Sequence, residues 1–141
     1  MINTDLTRKA MKLAFDAHMG QVDKVGVPYI FHPAHVAESM KTEYGCCAAL
    51  LHDVVEDTNV TFEDLEKDFP KEVVDALRLL THEEGVDYMD YVSKIKDNEI
   101  AREVKIADLT HNSDSTRLIT VTDVDRQRLD KYKRALEYLE N

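Results

Sequence analysis

Along the chain, apolar residues recur at helical spacing and are separated by short polar breaks. Residues 4–19 carry Leu6, Ala10, Leu13, Ala14 and Ala17 in steps of three and four, which predicts an amphipathic helix. The stretch "MGQVDKVGVPYIFHP" interrupts it with Gly20, Gly26, Pro28 and Pro33 and reads as a loop. Pro33 suits the first turn of a helix running to about residue 42, with Val36, Ala37 and Met40 inward. Another helix is expected from about Gly45 to Asp57, then a turn at "TNVT". Thr61 and Asp64 have the spacing of a capping box for "FEDLEKDF". Pro70 opens "PKEVVDALRLLTH", where Val73, Val74, Leu77 and Leu80 keep the helical period, and a short helix is expected over 87–96. "NEIAREVKIADLTHNSD" sets Ile100, Val104 and Ala107 on one face. The segment from Thr122 to Leu139 turns Leu129, Tyr132, Leu136 and Leu139 inward behind a capping threonine. No segment alternates strictly. The expected fold is all-α, a single-domain bundle of seven or eight helices over residues 1–141.

Length and composition fit that expectation. A chain of 141 residues falls in the size range that buries roughly 70% of its unfolded surface. At 43% hydrophobic and 33% charged it resembles a globular domain, and four glycines and three prolines are few for a chain of tight β-turns. The net charge of −10 argues against nucleic acid and against an anionic membrane surface as partners, since both are held through Lys and Arg. A small anionic ligand then needs a metal or a local basic pocket to offset the charge. The two cysteines, Cys46 and Cys47, are adjacent in an apolar run and read as buried thiols of a reducing compartment. The polar start "MINTDLTRKA" lacks the pattern of a signal peptide. No apolar run approaches the roughly 18 residues of a membrane span, and the expected location is cytoplasmic.

The stretch "AALLHDVVEDTNV" stands out because a greasy run leads into four ionisable groups. On one continuous helix, His52 and Glu56 are four apart, Asp53 and Asp57 four apart, and Asp53 and Glu56 three apart, so all four share a side. Two further candidates are His32, in "YIFHP" before a helix, and Asp108, in "VKIADLTHN". A set of two imidazoles and two carboxylates leaves coordination positions open and suits Mn²⁺, Fe²⁺, Ni²⁺ or Zn²⁺. Crowding Asp53, Glu56, Asp57 and Asp108 without a cation would be costly. Each residue also has an ordinary structural reading. The four groups make an equally good solvated helix face, His32 a hydrogen-bonded loop histidine, Asp108 a surface carboxylate, and Glu56 with Asp57 the cap of a turn. His18, His35, His82 and His111 are taken as structural, with His111 the most ambiguous because it sits between Asp108 and Asn112.

The blocks "GVPYIFHPAHVA", "AALLHDVVEDTNVTFEDLEKDF" and "VKIADLTHN" resemble, in order, the signature blocks of the HD-domain hydrolases. They are most similar to the (p)ppGpp hydrolase domain of RelA/SpoT proteins and their small stand-alone relatives. The resemblance implies a helical bundle of the HD type. It implies that His32, His52, Asp53 and Asp108 bind one divalent ion, Mn²⁺ above the alternatives, and that Glu56 and Asp57 handle the attacking water. It also implies that Asn112 contacts the nucleotide, with Tyr29 near the pocket mouth and Lys24 and Lys105 as candidate phosphate contacts. The implied activity is 3′-pyrophosphohydrolysis of a ppGpp-like nucleotide. The implied partner is that phosphorylated small molecule, with no nucleic acid and no membrane, on a monomer or homodimer.

The departures from the family cluster around substrate binding. Gln21 and Val22 stand where a basic pair is usual, Leu109 stands where a basic residue follows the metal aspartate, and Ser113-Asp114 follow the asparagine. Fewer cations weaken the grip on a highly charged nucleotide. Lys24, Lys105 and Arg117 are the candidates to compensate, and Lys105 serves equally well as a residue solvating its helix. The lost basic positions keep two alternatives open: hydrolysis of another phosphorylated small molecule, or a silent nucleotide-binding module.

Overall fold

The computed structural model describes residues 1–141. Eight helices and one single-turn helix follow one another: α1 (Asp5–Ala17), α2 (Phe31–Glu38), α3 (Glu43–Leu51), the four-residue α4 (Val54–Asp57), α5 (Phe62–Asp68), α6 (Lys71–Leu80), α7 (Tyr88–Ile95), α8 (Glu99–Asn112) and α9 (Asp123–Glu140). A 3₁₀ turn at Ser115–Arg117 joins α8 to α9, and the only β contact is an isolated antiparallel bridge between Val22 and Pro28. No helix is long and apolar enough to cross a membrane.

Helix α3 is the axis of the bundle. It is apolar all round, every residue from Gly45 to Leu51 is buried, and α1, α2, α6 and α8 pack against it. Leu50 and Leu51 are each 1% exposed and contribute roughly 1.5–3 kcal/mol apiece by burial. This is why "CCAALL" is so greasy: the segment has no wet side. The thiols of Cys46 and Cys47 lie in this core, unpaired, and burial raises both, Cys47 to about 12.

Local chemistry sets the helix starts. Thr4, Thr61 and Thr122 each make a reciprocal capping box, with Thr7, Asp64 and Asp125 respectively, so the box expected at Thr61 is present. Thr42 accepts from the Gly45 amide at 3.0 Å. A Cβ on Gly45 would meet the Thr42 hydroxyl at 2.8 Å, so the tight α2–α3 turn requires glycine there.

Three expectations change. Helix α2 ends at Glu38 rather than near 42, because the Ser39 hydroxyl donates back to the Val36 carbonyl and ends the ladder. The buried stripe of α8 runs through Ala101, Val104, Asp108 and Leu109, with Ile100 and Ala107 only partly covered. The helix expected over 45–57 is broken at His52–Asp53, which separates α3 from α4. There the His52 side chain bonds the Ala49 carbonyl through Nδ1 at 2.6 Å, and Asp53 sits at φ −111°, ψ 0°.

Candidate metal centre and its cleft

The break between α3 and α4 aims the ionisable groups of "LLHDVVED". His52 caps the end of α3, and Asp53 occupies the turn before α4. His32 comes from the first turn of α2 and Asp108 from α8. Their atoms converge: His32 Nε2 lies 2.8 Å and His52 Nε2 3.3 Å from Asp108 Oδ1, and Asp53 Oδ2 lies 3.0 Å from His52 Nε2. His32, His52 and Asp108 are each at most 5% exposed. Ligand atoms of His32, His52 and Asp53 lie within 4.8 Å of one another, and so do those of Asp53, Glu56 and Asp57. Asp53 therefore belongs to both groups, and His52 and Glu56 do not share one helix face. The acidic pair reaches the cluster across a turn, through Asp53.

The donor set fits a divalent cation. His52 Nδ1 donates to the Ala49 carbonyl, so in the neutral ring Nε2 is a bare lone pair. That nitrogen is buried with no directed hydrogen-bond partner, although two carboxylate oxygens stand within 3.3 Å of it. Lone pairs facing lone pairs are stable only around a positive charge. Without a metal the charge is a proton. Burial alone would push the His52 imidazolium down, but the Asp53 and then the Asp108 carboxylate outweigh it and hold His52 well above its ordinary value. Burial likewise opposes the Asp108 carboxylate, yet Lys105 and then His52 hold it well below the usual range. A divalent ion with two imidazole nitrogens and two carboxylates replaces that proton by ordinary ligation.

The surrounding contacts fix these groups. The Tyr29 hydroxyl donates to Asp53 Oδ2. Lys105 is partly buried, donates to Asp108 Oδ2 at 3.1 Å and lies over the Tyr91 ring, so it pairs with the cluster and does not solvate α8. Asn112, one turn after Asp108, donates to Asp108 Oδ1 at 3.0 Å and accepts from Arg117 at 3.0 Å. His32 Nδ1 meets His111 Nδ1 at 2.7 Å. Burial, then Arg117, lowers His111 to about 4.

Glu56 and Asp57 stand at the edge of this cluster, in the more open part of the site. Burial and then neighbouring charges raise both: for Glu56 the Asp53 charge adds to burial against the His82 amide, and for Asp57 the Asp53 charge again adds. The His82 backbone N–H donates to Glu56 Oε1 at 2.8 Å and holds it. Gln21, taken from the sequence as a lost cation, accepts at Oε1 from His18 Nδ1 and donates to the Asp57 carbonyl.

A cleft of about 240 Å³ opens over the cluster, lined by Asp53, Glu56, Asp57 and Asp108 together with Tyr88, Tyr91, Lys105, Lys131 and Tyr132. It shares Tyr29, Asn112 and Tyr132 with a neighbouring cavity of about 330 Å³, where Lys24, Arg117 and Arg128 face Leu118 and Leu129. All four candidate substrate residues, Lys24, Tyr29, Lys105 and Asn112, line these two connected spaces. Lys24 donates to Asp125 at 2.7 Å, which ties the 20–30 loop to α9.

Further cationic side chains line these spaces from another element, with Arg128 3.8 Å from Asp125. Leu109 is fully buried, belongs to the core and does not line the cleft. Arg128 and Lys131 enter from α9 together with Tyr132. Sequence reasoning missed them because they look like the wet flank of an ordinary amphipathic helix. Of the stripe expected to face inward, Leu139 is buried and Tyr132 and Leu136 pack against the core, with Ala135 buried beside them, while Leu129 and Tyr132 also line the two spaces.

The chain is similar to known proteins in sequence and in fold. The sequence family described as HD domain matches residues 10–111. The bifunctional (p)ppGpp synthase/hydrolase SpoT of Escherichia coli (strain K12) is 38% identical over 74% of this chain and 17% of its own length. The guanosine-3′,5′-bis(diphosphate) 3′-pyrophosphohydrolase of Vibrio cholerae is 38% identical over 67% of this chain and 13% of its own length. The chain thus spans less than a fifth of these curated relatives. Among solved structures, a metazoan orthologue of SpoT reported to hydrolyse ppGpp superposes with a TM-score of 0.79 at 24% identity, covering 96% of this chain and 85% of that one, so the two share a fold. The match over residues 10–111 takes in the HD dipeptide His52-Asp53, and the chain belongs to the HD-domain family.

Proposed function

We propose that the chain is a divalent-metal-dependent phosphohydrolase that removes pyrophosphate from the 3′ position of (p)ppGpp and leaves GDP or GTP. The observation that carries the reading is the His32, His52, Asp53, Asp108 cluster beside an acidic pair, under a cleft that also carries cationic and aromatic side chains. The names of the curated relatives support the same substrate.

In this reading His32, His52, Asp53 and Asp108 hold one ion, Mn²⁺ first among the candidates. When bound, the ion polarises a phosphate oxygen and lowers the pKa of water. Glu56 or Asp57 accepts the proton of the attacking water, and a pKa raised by burial makes each a stronger base than a free carboxylate. The His82 amide keeps Glu56 aimed. The water oxygen bonds to the phosphorus of the 3′ diphosphate, the bond from that phosphorus to ribose O3′ breaks, and O3′ leaves with a proton. Lys105, Lys131, Arg117 and Arg128 offset phosphate charge along the cleft, and Tyr132 offers a ring to the nucleoside. Asn112, anchored on Asp108, positions the ribose end. The unpaired thiols Cys46 and Cys47 suit a reducing, cytoplasmic setting.

The test is Glu56→Gln. It is expected to retain nucleotide binding by calorimetry while turnover falls about 10²–10⁴-fold. Equal turnover by the wild type and the variant would remove Glu56 from the chemistry.

A further inference from the structure

We propose that His111 is a positioning residue, which holds the His32 imidazole in the tautomer and direction that metal ligation requires. The inference rests on the reading of His32, His52, Asp53 and Asp108 as a metal site. It assigns a role to a histidine that the sequence reading left as structural.

The geometry is specific. The two Nδ1 atoms are 2.7 Å apart, the ring planes differ by only 6°, and the centroids are 5.0 Å apart. Rings stacked face to face at that separation would not bring two ring nitrogens to 2.7 Å. The two imidazoles are therefore coplanar and meet edge to edge, the arrangement of a straight N–H···N hydrogen bond. One proton lies between the two nitrogens, so one ring donates and the other accepts. In the metal-free cluster two assignments fit the distances. Either His32 carries its proton on Nε2, toward Asp108, and accepts from His111, or it carries the proton on Nδ1 and donates to His111. A cation at Nε2 permits only the second, with His111 as acceptor.

The two histidines of the cluster thus use one device in two forms. His52 Nδ1 donates to a backbone carbonyl, that of Ala49, at 2.6 Å. His32 Nδ1 has no backbone acceptor and uses a side chain instead. Ligating histidines generally donate the other ring N–H to such a partner, which fixes tautomer and orientation. His111 is itself held. Its ring packs on His35 with centroids 4.0 Å apart, and Arg117 donates to its carbonyl at 3.1 Å. Of the two histidines, only His32 can therefore be tuned by substituting the side chain that its Nδ1 meets.

The test uses the full chain and Mn²⁺ alone, with free Mn²⁺ read by electron paramagnetic resonance and no substrate present. H111A and H111F, which cannot accept from Nδ1, are expected to weaken Mn²⁺ binding about 10–100-fold. H111N places an amide oxygen close to where Nδ1 stood and is expected to stay within a few-fold of wild type. Metal-free melting curves monitor the fold, and H111F keeps a ring of similar volume. In the Zn²⁺-loaded protein, ¹⁵N spectra should show His32 Nδ1 protonated. Wild-type affinity in H111A and H111F, or a loss in H111N as large as in H111A, would overturn the inference while leaving the metal site standing. A wild-type chain that binds no Mn²⁺ would overturn the metal reading and this inference together.

Discussion

Removing the metal should leave a proton in its place, and this makes thermal stability a readout of the site. His52 Nε2 faces Asp53 and Asp108 carboxylate oxygens at 3.0 and 3.3 Å, so the buried cluster requires a positive charge there. In metal-free protein His52 is held well above its ordinary value. The stabilisation this gives is complete below the unfolded-chain value of roughly 6.5 and is lost as pH rises through the raised folded value. In the metal-loaded protein the ion carries that charge, and His52 does not titrate. Free Mn²⁺ at 100 times its dissociation constant adds about 2.7 kcal/mol. An unfolding entropy of about 2.1 cal/mol/K per residue gives roughly 0.3 kcal/mol/K for 141 residues, so the melting temperature should rise by about 9 °C. Between pH 6 and 7 binding displaces the His52 proton, so affinity rises about tenfold per pH unit, or about 1.4 kcal/mol. At fixed free Mn²⁺ the shift should then grow by roughly 5 °C per pH unit. Differential scanning calorimetry with and without Mn²⁺ at three pH values measures it. No shift, or a shift of equal size at pH 6 and 7, would refute the reasoning.

Two further outcomes follow from side chains already placed. Leu109→Arg should not restore a phosphate contact: it should cost about 3 kcal/mol or more, because it removes a fully buried leucine and puts an unpaired charge in the core, and the denaturant midpoint should fall with no gain in KM for ppGpp. Tyr29→Phe deletes the hydroxyl that donates to Asp53 and should weaken Mn²⁺ binding about tenfold by calorimetry, with the fold intact.

The parts of this protein that were legible from its sequence are those governed by neighbours along the chain. The capping box of Thr61 and Asp64, the helical periodicity of Val73 to Leu80 and the buried thiols all depend on residues within a turn or two. The break at His52–Asp53 was not legible, because an apolar run entering a polar one reads as a single helix until the His52 side chain bonds the Ala49 carbonyl. That Leu109 is core was not legible, because a family position gives the usual residue type but not the burial of the residue that replaces it. Arg128, Lys131 and Tyr132 lie about 75 residues from the acidic pair, and only the packing of α9 on α8 makes them neighbours of the cluster. His111 escaped for a related reason: its partner, His32, is 79 residues away.

Cleavage of a 3′ diphosphate by the cluster and the acidic pair together is the activity proposed for this chain. The most direct measurement incubates the Mn²⁺-loaded chain with ppGpp and separates pyrophosphate from phosphate while following the nucleotide. Equimolar pyrophosphate and GDP are expected, abolished by chelation and restored by Mn²⁺. Release of single phosphates would contradict the assigned bond, and no turnover of ppGpp by protein with bound Mn²⁺ would contradict the claim itself.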